Sequence, residues 1–151
     1  MRVTAKADYA VRAAIELARH EDGPYKGDEL AQAQEIPLSF LENILNQLKS
    51  AGLVRTQRGP DGGYWLARPA GEITLAEVIR AVEGPLVGVR GERPEDVDYP
   101  DGARTLQEVW IALRHNVRAV LEHVTLADAA RGRLPADVRR LARDEEAWHT
   151  R

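Results

Sequence analysis

The sequence predicts a mainly α-helical chain with one small β-hairpin, and three observations carry that expectation. Apolar residues recur at intervals of three and four through the first 50 residues, the period of a helix face. A Gly/Pro/Asp turn, Arg58-Gly59-Pro60-Asp61-Gly62-Gly63, then separates two short extended runs. A long apolar stripe at helical spacing returns after residue 104.

The elements follow in order. A first helix is expected from Lys6 to His20, with Ala10, Ala14, Leu17 and Ala18 on one face and Val11 and Ile15 widening it, until Gly23-Pro24 breaks it. A short second helix spans Asp28 to Gln34, with Leu30 and Ala31 inward and Asp28 as its expected N-cap. Glu35-Ile36-Pro37-Leu38 is a tight connection without the usual glycine. The third helix starts at Ser39, where Ser39 and Glu42 have capping-box spacing, and Leu41, Ile44, Leu45 and Leu48 form its stripe up to Gly52. Leu53–Gln57 and Tyr64–Ala67 are the two strands. A fourth helix runs from Thr74 to Glu83 with a second capping box, Thr74 and Glu77, and an inner face of Leu75, Val78, Ile79 and Val82. Residues 84–104, rich in Gly, Pro and charge, read as a loop. A long helix covers Thr105 to Val124, a short element lies near Leu126–Ala130, and a last helix spans Pro135 to Trp148.

Helix, helix, turn, helix and hairpin make a winged helix-turn-helix, which suits double-stranded DNA. The third helix fits a major groove about 12 Å wide, and its non-apolar side carries Phe40, Asn43, Gln47 and Lys49 beside Glu42 and Asn46. Asn and Gln pair with adenine edges, and Glu accepts from cytosine N4. Arg58 leads the wing toward a minor groove or a phosphate. Arg2, Lys6 and Lys49 suit phosphate contacts that fix position without reading sequence. Glu42 has two compatible roles, cap and reader, and Phe40 fits either the core or a thymine methyl.

Composition bounds the rest. The 151 residues are 44% hydrophobic and 30% charged, with a net charge of −3. Residues 1–68 hold 9 Lys/Arg against 9 Asp/Glu, so positive charge for DNA must be local. No apolar run spans a bilayer and Met1–Ala14 lacks a signal-peptide core, so a cytoplasmic location is expected. There is no cysteine, which excludes disulfides, thiolate metal sites and cysteine nucleophiles. His20, His115, His123 and His149 lack ligand spacing, and Asp96, Asp98 and Asp101 read as a solvated acidic loop. No nucleophile–base pair or phosphate-cradling loop before a helix is present, so no enzyme is expected.

The sequence resembles the IscR-type (Rrf2) bacterial transcription regulators. The resemblance rests on Met1-Arg2-Val3-Thr4 with Lys6 and Tyr9-Ala10-Val11, on Ile36 to Glu42, on Ala51-Gly52-Leu53-Val54 and on the wing Arg58 to Tyr64. It continues through Ile73 to Val78 and Ala81-Val82-Glu83-Gly84. It implies a homodimeric regulator, a repressor, binding a dyad-symmetric operator. Base readers carry over to Ser39, Phe40, Glu42 and Asn43 with Arg58 in the minor groove, and Thr4, Lys6, Tyr9 and Lys49 match backbone contacts. Many members ligate an iron–sulfur cluster with three cysteines between the fourth and long helices. Residues 84–104 hold none, so no cofactor is expected here.

The resulting organisation is a DNA-binding domain at 1–83, a loop at 84–104, and a dimerisation helix with a C-terminal helix at 105–151. Leu106, Val109, Trp110, Leu113, Val117, Val120, Leu121 and Val124 form the expected dimer stripe, and Trp110 alternatively lines a small-molecule pocket. Whether a small molecule, a protein or nothing switches the dimer stays open. So does an alternative in which a partner protein docks on the C-terminal half and controls the regulator.

Overall fold

The computed structural model describes residues 1–150; Arg151, the end of the C-terminal unit, lies outside the described residues. Helices α1 (Ala5–Arg19), α2 (Gly27–Gln34) and α3 (Leu38–Ser50) precede strands β1 (Val54–Gln57) and β2 (Gly63–Leu66). Then follow α4 (Leu75–Glu83), α5 (Thr105–Leu121), α6 (Leu126–Arg131) and α7 (Ala136–Arg143), with 3-10 turns at Ala70–Glu72, Pro94–Asp96, Asp101–Ala103 and Glu145–Trp148. This is the mainly α fold with a hairpin wing that the sequence predicts.

Most of the predicted inward stripes are buried. Ala10, Ala14 and Leu17 of α1, Leu30 of α2 and Leu41, Ile44, Leu45 and Leu48 of α3 form one core with Ile73 and Val78. The fourth helix has the expected capping box, with Thr74 Oγ1 accepting from Glu77 N–H and the Glu77 carboxylate accepting from Thr74 N–H. An equivalent box at Thr125 and Asp128 starts α6. Helix α3 ends with Gly52 N–H donating to Lys49 O and Leu53 N–H to Leu48 O, which aims the chain into β1.

Two expected caps are corrected. Helix α2 is entered from Lys26, and α3 from Pro37, with no side-chain cap at either. Asp28 and Ser39 each sit two residues inside their helices. Pro37, with φ −56°, is the N-cap, so α3 starts two residues earlier than a cap at Ser39 would allow. The turn between α2 and α3 is made by Glu35, which takes the left-handed conformation (φ 52°) that glycine often fills. Ile36, next along, is buried and bonds back to Ala31 O.

The wing is antiparallel, pairing Val54 with Leu66 and Gln57 with Gly63. Glycine is required at its turn, because a Cβ on Gly62 would stand 2.1 Å from Gln57 O. One on Gly63 would stand 2.5 Å from Tyr25 O. That closeness exists because Tyr25 exchanges both backbone hydrogen bonds with Tyr64, each 2.8 Å. The wing is thus sewn to the α1–α2 connection. A buried carboxylate, Glu16, holds the same region: it accepts from Gln34 Nε2 at 2.8 Å and lies 3.4 Å from Arg19. Burial first, then Glu16, pushes the Tyr25 hydroxyl pKa up.

The second half differs from its expected outline. The long helix stops at Leu121, and Val124 turns into the core, 2% exposed, beside Leu126. Leu75 N–H donates to Val124 O and Leu126 N–H to Ile73 O. Helix α6 consequently packs on α1. Val124 therefore leaves the exposed stripe that periodicity assigned to it. The last helix is shorter than Pro135–Trp148: it breaks at Asp144, whose carboxylate accepts from Glu146 N–H and starts a 3-10 turn. The loop at 84–104 is tied down, with Pro94, Val97 and Val87 buried. Gln107 Nε2 of α5 reaches the carbonyls of Pro94, Glu95 and Val97 at 3.1, 3.1 and 3.4 Å.

Candidate nucleic-acid interface

At about 100° per residue, burying Leu41, Ile44, Leu45 and Leu48 leaves a defined outer side on α3. Ser39, Asn43 and Asn46 point directly away from the core. Glu42 and Lys49 flank them on one side, and Phe40 and Gln47 on the other. All are exposed except Gln47, which is half-buried. Its Oε1 is buried without a hydrogen-bond partner, so Gln47 stands at the margin of the face rather than on it.

Glu42 caps nothing and makes no hydrogen bond or ion pair among the described residues, so its carboxylate is free for an external donor. Phe40 is 59% exposed and is not a core residue. It rests edge-on against Tyr9 of α1, ring centroids 6.5 Å apart. Arg12 stacks over the Tyr9 ring at 5.0 Å, donates to Gln34 O at 3.0 Å and pairs with Asp8 at 3.1 Å. Arg12 therefore links α1, α2 and the Tyr9–Phe40 aromatic pair beside α3. Sequence reading missed it; its position one turn before Glu16, three residues after Tyr9, was the only signal.

The remaining residues divide. Arg2 is exposed and Lys6 half-exposed beside the start of α1. Thr4 is engaged: it caps α1 by accepting from Ala7 N–H at 3.0 Å and donates to the Glu83 carboxylate. Lys49 is exposed at the end of α3, and Arg58 is exposed where β1 enters the wing turn. The structure brings Tyr9 and Phe40 into contact and ties the wing to α1 through Tyr25. Arg58 has no hydrogen bond or ion pair among the described residues.

On α5, no residue is buried. Leu106 is 39% exposed and Val109 is 51% exposed. Trp110, Leu113, Val117, Val120 and Leu121 are half-buried. Trp110 donates from Nε1 to Tyr99 Oη at 2.9 Å.

A family model described as Rrf2, iron-dependent transcriptional regulator, matches residues 3–132. The chain belongs to the Rrf2 family. Its Rrf2 relatives are DNA-binding transcription regulators and not enzymes, and this chain is a DNA-binding transcription regulator. It is 49% identical over 148 residues to the "Putative HTH-type transcriptional regulator Rv1287" of Mycobacterium tuberculosis (strain ATCC 25618 / H37Rv), covering 97% of this chain and 92% of that one. It is 35% identical over 131 residues to CymR of Bacillus subtilis (strain 168), covering 86% and 90%. The solved structure of B. subtilis CymR, the global cysteine regulator, superposes with a TM-score of 0.74 at 32% identity, covering 87% of this chain and 98% of that one. T. potens IscR superposes with a TM-score of 0.69 at 30% identity, covering 100% and 93%.

The iron in the Rrf2 description does not fit these residues. The sequence has no cysteine, and among the described residues no three His, Asp or Glu side chains are placed to share a metal ion. No helix of the described chain is long and apolar enough to cross a membrane.

Proposed function

We propose that this Rrf2 chain acts in the cytoplasm as a homodimeric repressor without a cluster, reading a dyad-symmetric operator. Ser39, Phe40, Glu42 and Asn43 contact base edges, Arg58 enters the minor groove, and Arg2, Lys6, Tyr9 and Lys49 hold phosphates. One observation carries this reading: α3 is fully buried along one side, while its opposite side presents unpaired polar groups and an exposed aromatic ring. A helix built only for packing gains nothing from holding Phe40 out on Tyr9. A helix that enters a groove needs such a side.

The exposed apolar residues of α5 support self-association. In a two-fold dimer the paired reading heads match a palindromic site, with half-sites about one helical turn apart. Residues 1–83 then serve as the reading unit, 84–104 as the regulatory segment and 105–151 as the dimerising unit. Genome-wide footprinting of the purified protein tests this. The expected result is protection of a limited set of inverted repeats overlapping promoters. Uniform, sequence-independent protection contradicts it.

A further inference from the structure

A cleft of about 510 Å³ lies between the C-terminal end of α4, the following loop and α5. Its walls include Arg80, Arg93, Arg114 and Arg118 around the apolar floor of Pro85 to Val87, with Glu95 as the carboxylate in the lining. Arg114 and Arg118 are four residues apart on α5 and share a face. Arg114 Nη1 is 2.6 Å from Glu95 Oε2. Glu122, outside the lining, takes Arg80 as a close partner and Arg118 at 3.8 Å. The Arg93 side chain has no ion pair or hydrogen bond among the described residues. Four guanidinium groups therefore face two carboxylates, more positive charge than the fold's own ion pairs need.

The field acts on both acids. The Glu95 carboxyl is held below its usual pKa by its own backbone N–H and then by Arg114. That of Glu122 is held down by the hydrogen bond from Arg80. The cleft is preformed, because Gln107 pins the loop at Pro94 and Glu95 and Val87 is buried. Planar guanidinium forks bind phosphate and carboxylate oxygens two at a time.

We propose that this cleft binds a small ligand carrying two or more negative charges on phosphate or carboxylate groups, through Arg93, Arg114, Arg118 and Arg80. Arg80 lies on α4, which packs on both α1 and α3, and Glu83 at the end of α4 accepts from the Thr4 cap of α1. A ligand that draws Arg80 from Glu122 thus acts on the support of the reading helix. This coupling, unlike the binding itself, rests on the proposed operator reading.

Calorimetric titration of the full chain tests the site, with pyrophosphate and citrate as separate probes against chloride at matched ionic strength. The expected result is one probe per chain with a submillimolar Kd for at least one of them, the better probe identifying phosphate or carboxylate as the preferred group. Arg93→Ala and Arg118→Ala should each weaken it about tenfold. Arg93→Ala breaks no ion pair among the described residues, so its thermal midpoint should match the wild type and the loss cannot be unfolding. Lys49→Ala/Arg58→Ala, altered on the DNA face, should bind the probe unchanged. The proposal is overturned if neither probe binds, if the Arg93 and Arg118 variants bind as the wild type does, or if the Lys49/Arg58 variant loses binding. Probe binding by a protein that protects no operator leaves the cleft intact and rejects the operator reading alone.

Discussion

At the scale of single residues, freedom and engagement decide roles. Glu42 has no hydrogen bond or ion pair among the described residues, so Glu42→Ala should change stability by no more than about 0.5 kcal/mol in urea titration. Its effect should appear as an altered base preference in selected DNA pools. Arg58 is also without a hydrogen bond or ion pair among the described residues; Arg58→Ala should lower affinity and reduce the slope of log K against log salt by about 1, in fluorescence titrations at several salt concentrations. Gly62 is the opposite case. Gly62→Ala drives a Cβ to 2.1 Å from Gln57 O and should cost about 1–3 kcal/mol in denaturant unfolding. For Glu77, burial pushes the carboxyl pKa up, but hydrogen bonds from Thr74 and Arg68 and the Arg68 charge outweigh it, leaving the pKa below the ordinary value. A depressed folded pKa means that stability is present above the unfolded value and is lost as pH falls through the folded one. Between neutral pH and the acid side of the carboxylate range, the wild type should therefore lose more thermal stability than Glu77→Gln.

At the scale of elements, α5 and the segment after it separate two kinds of valine. Val124 is buried in the core, so Val124→Ala should destabilise the fold by about 2 kcal/mol at ~0.8 kcal/mol per buried methylene plus a cavity cost. Val109 is 51% exposed, so Val109→Asp should leave unfolding nearly unchanged and weaken self-association in sedimentation equilibrium. Unfolding of the Val109 variant below the wild-type midpoint at dilutions where both are monomeric would contradict this. Periodicity alone could not separate these residues, since Val124 continues the three-and-four spacing of α5 three residues past the helix end. The stripes of α1, α3 and α4 were legible because each had to be buried against the others. The caps at Asp28 and Ser39 were misread for one physical reason: an earlier residue, Lys26 or Pro37, already provides the extended entry. The caps at Thr4 and Thr125 were missed because the first helix was read from Lys6 and Leu126–Ala130 only as a short element, whereas Thr74, with Glu77 three residues on, was legible. The arginine cleft joins α4 to residues more than thirty positions away on α5, a convergence that only the fold reveals.

At the scale of the whole molecule, a chain of net charge −3 can hold DNA only if its favourable contacts are concentrated. In the proposed reading, the exposed side of α3, the wing arginine and the α1 start supply those contacts. Arg12 and Glu16 brace this arrangement from beneath, through Tyr9, Gln34 and the Tyr25–Tyr64 bridge to the wing. The central claim is that α3 reads base sequence from Ser39 to Asn43. The most direct measurement is a titration cycle pairing wild type and Glu42→Ala with the selected operator and with single-base-pair variants of it. One base pair per half-site should cost the wild type about 1–3 kcal/mol when changed, and Glu42→Ala should lose that discrimination while keeping it at the other positions. Equal discrimination by both proteins at every position would contradict the reading role of α3's exposed side.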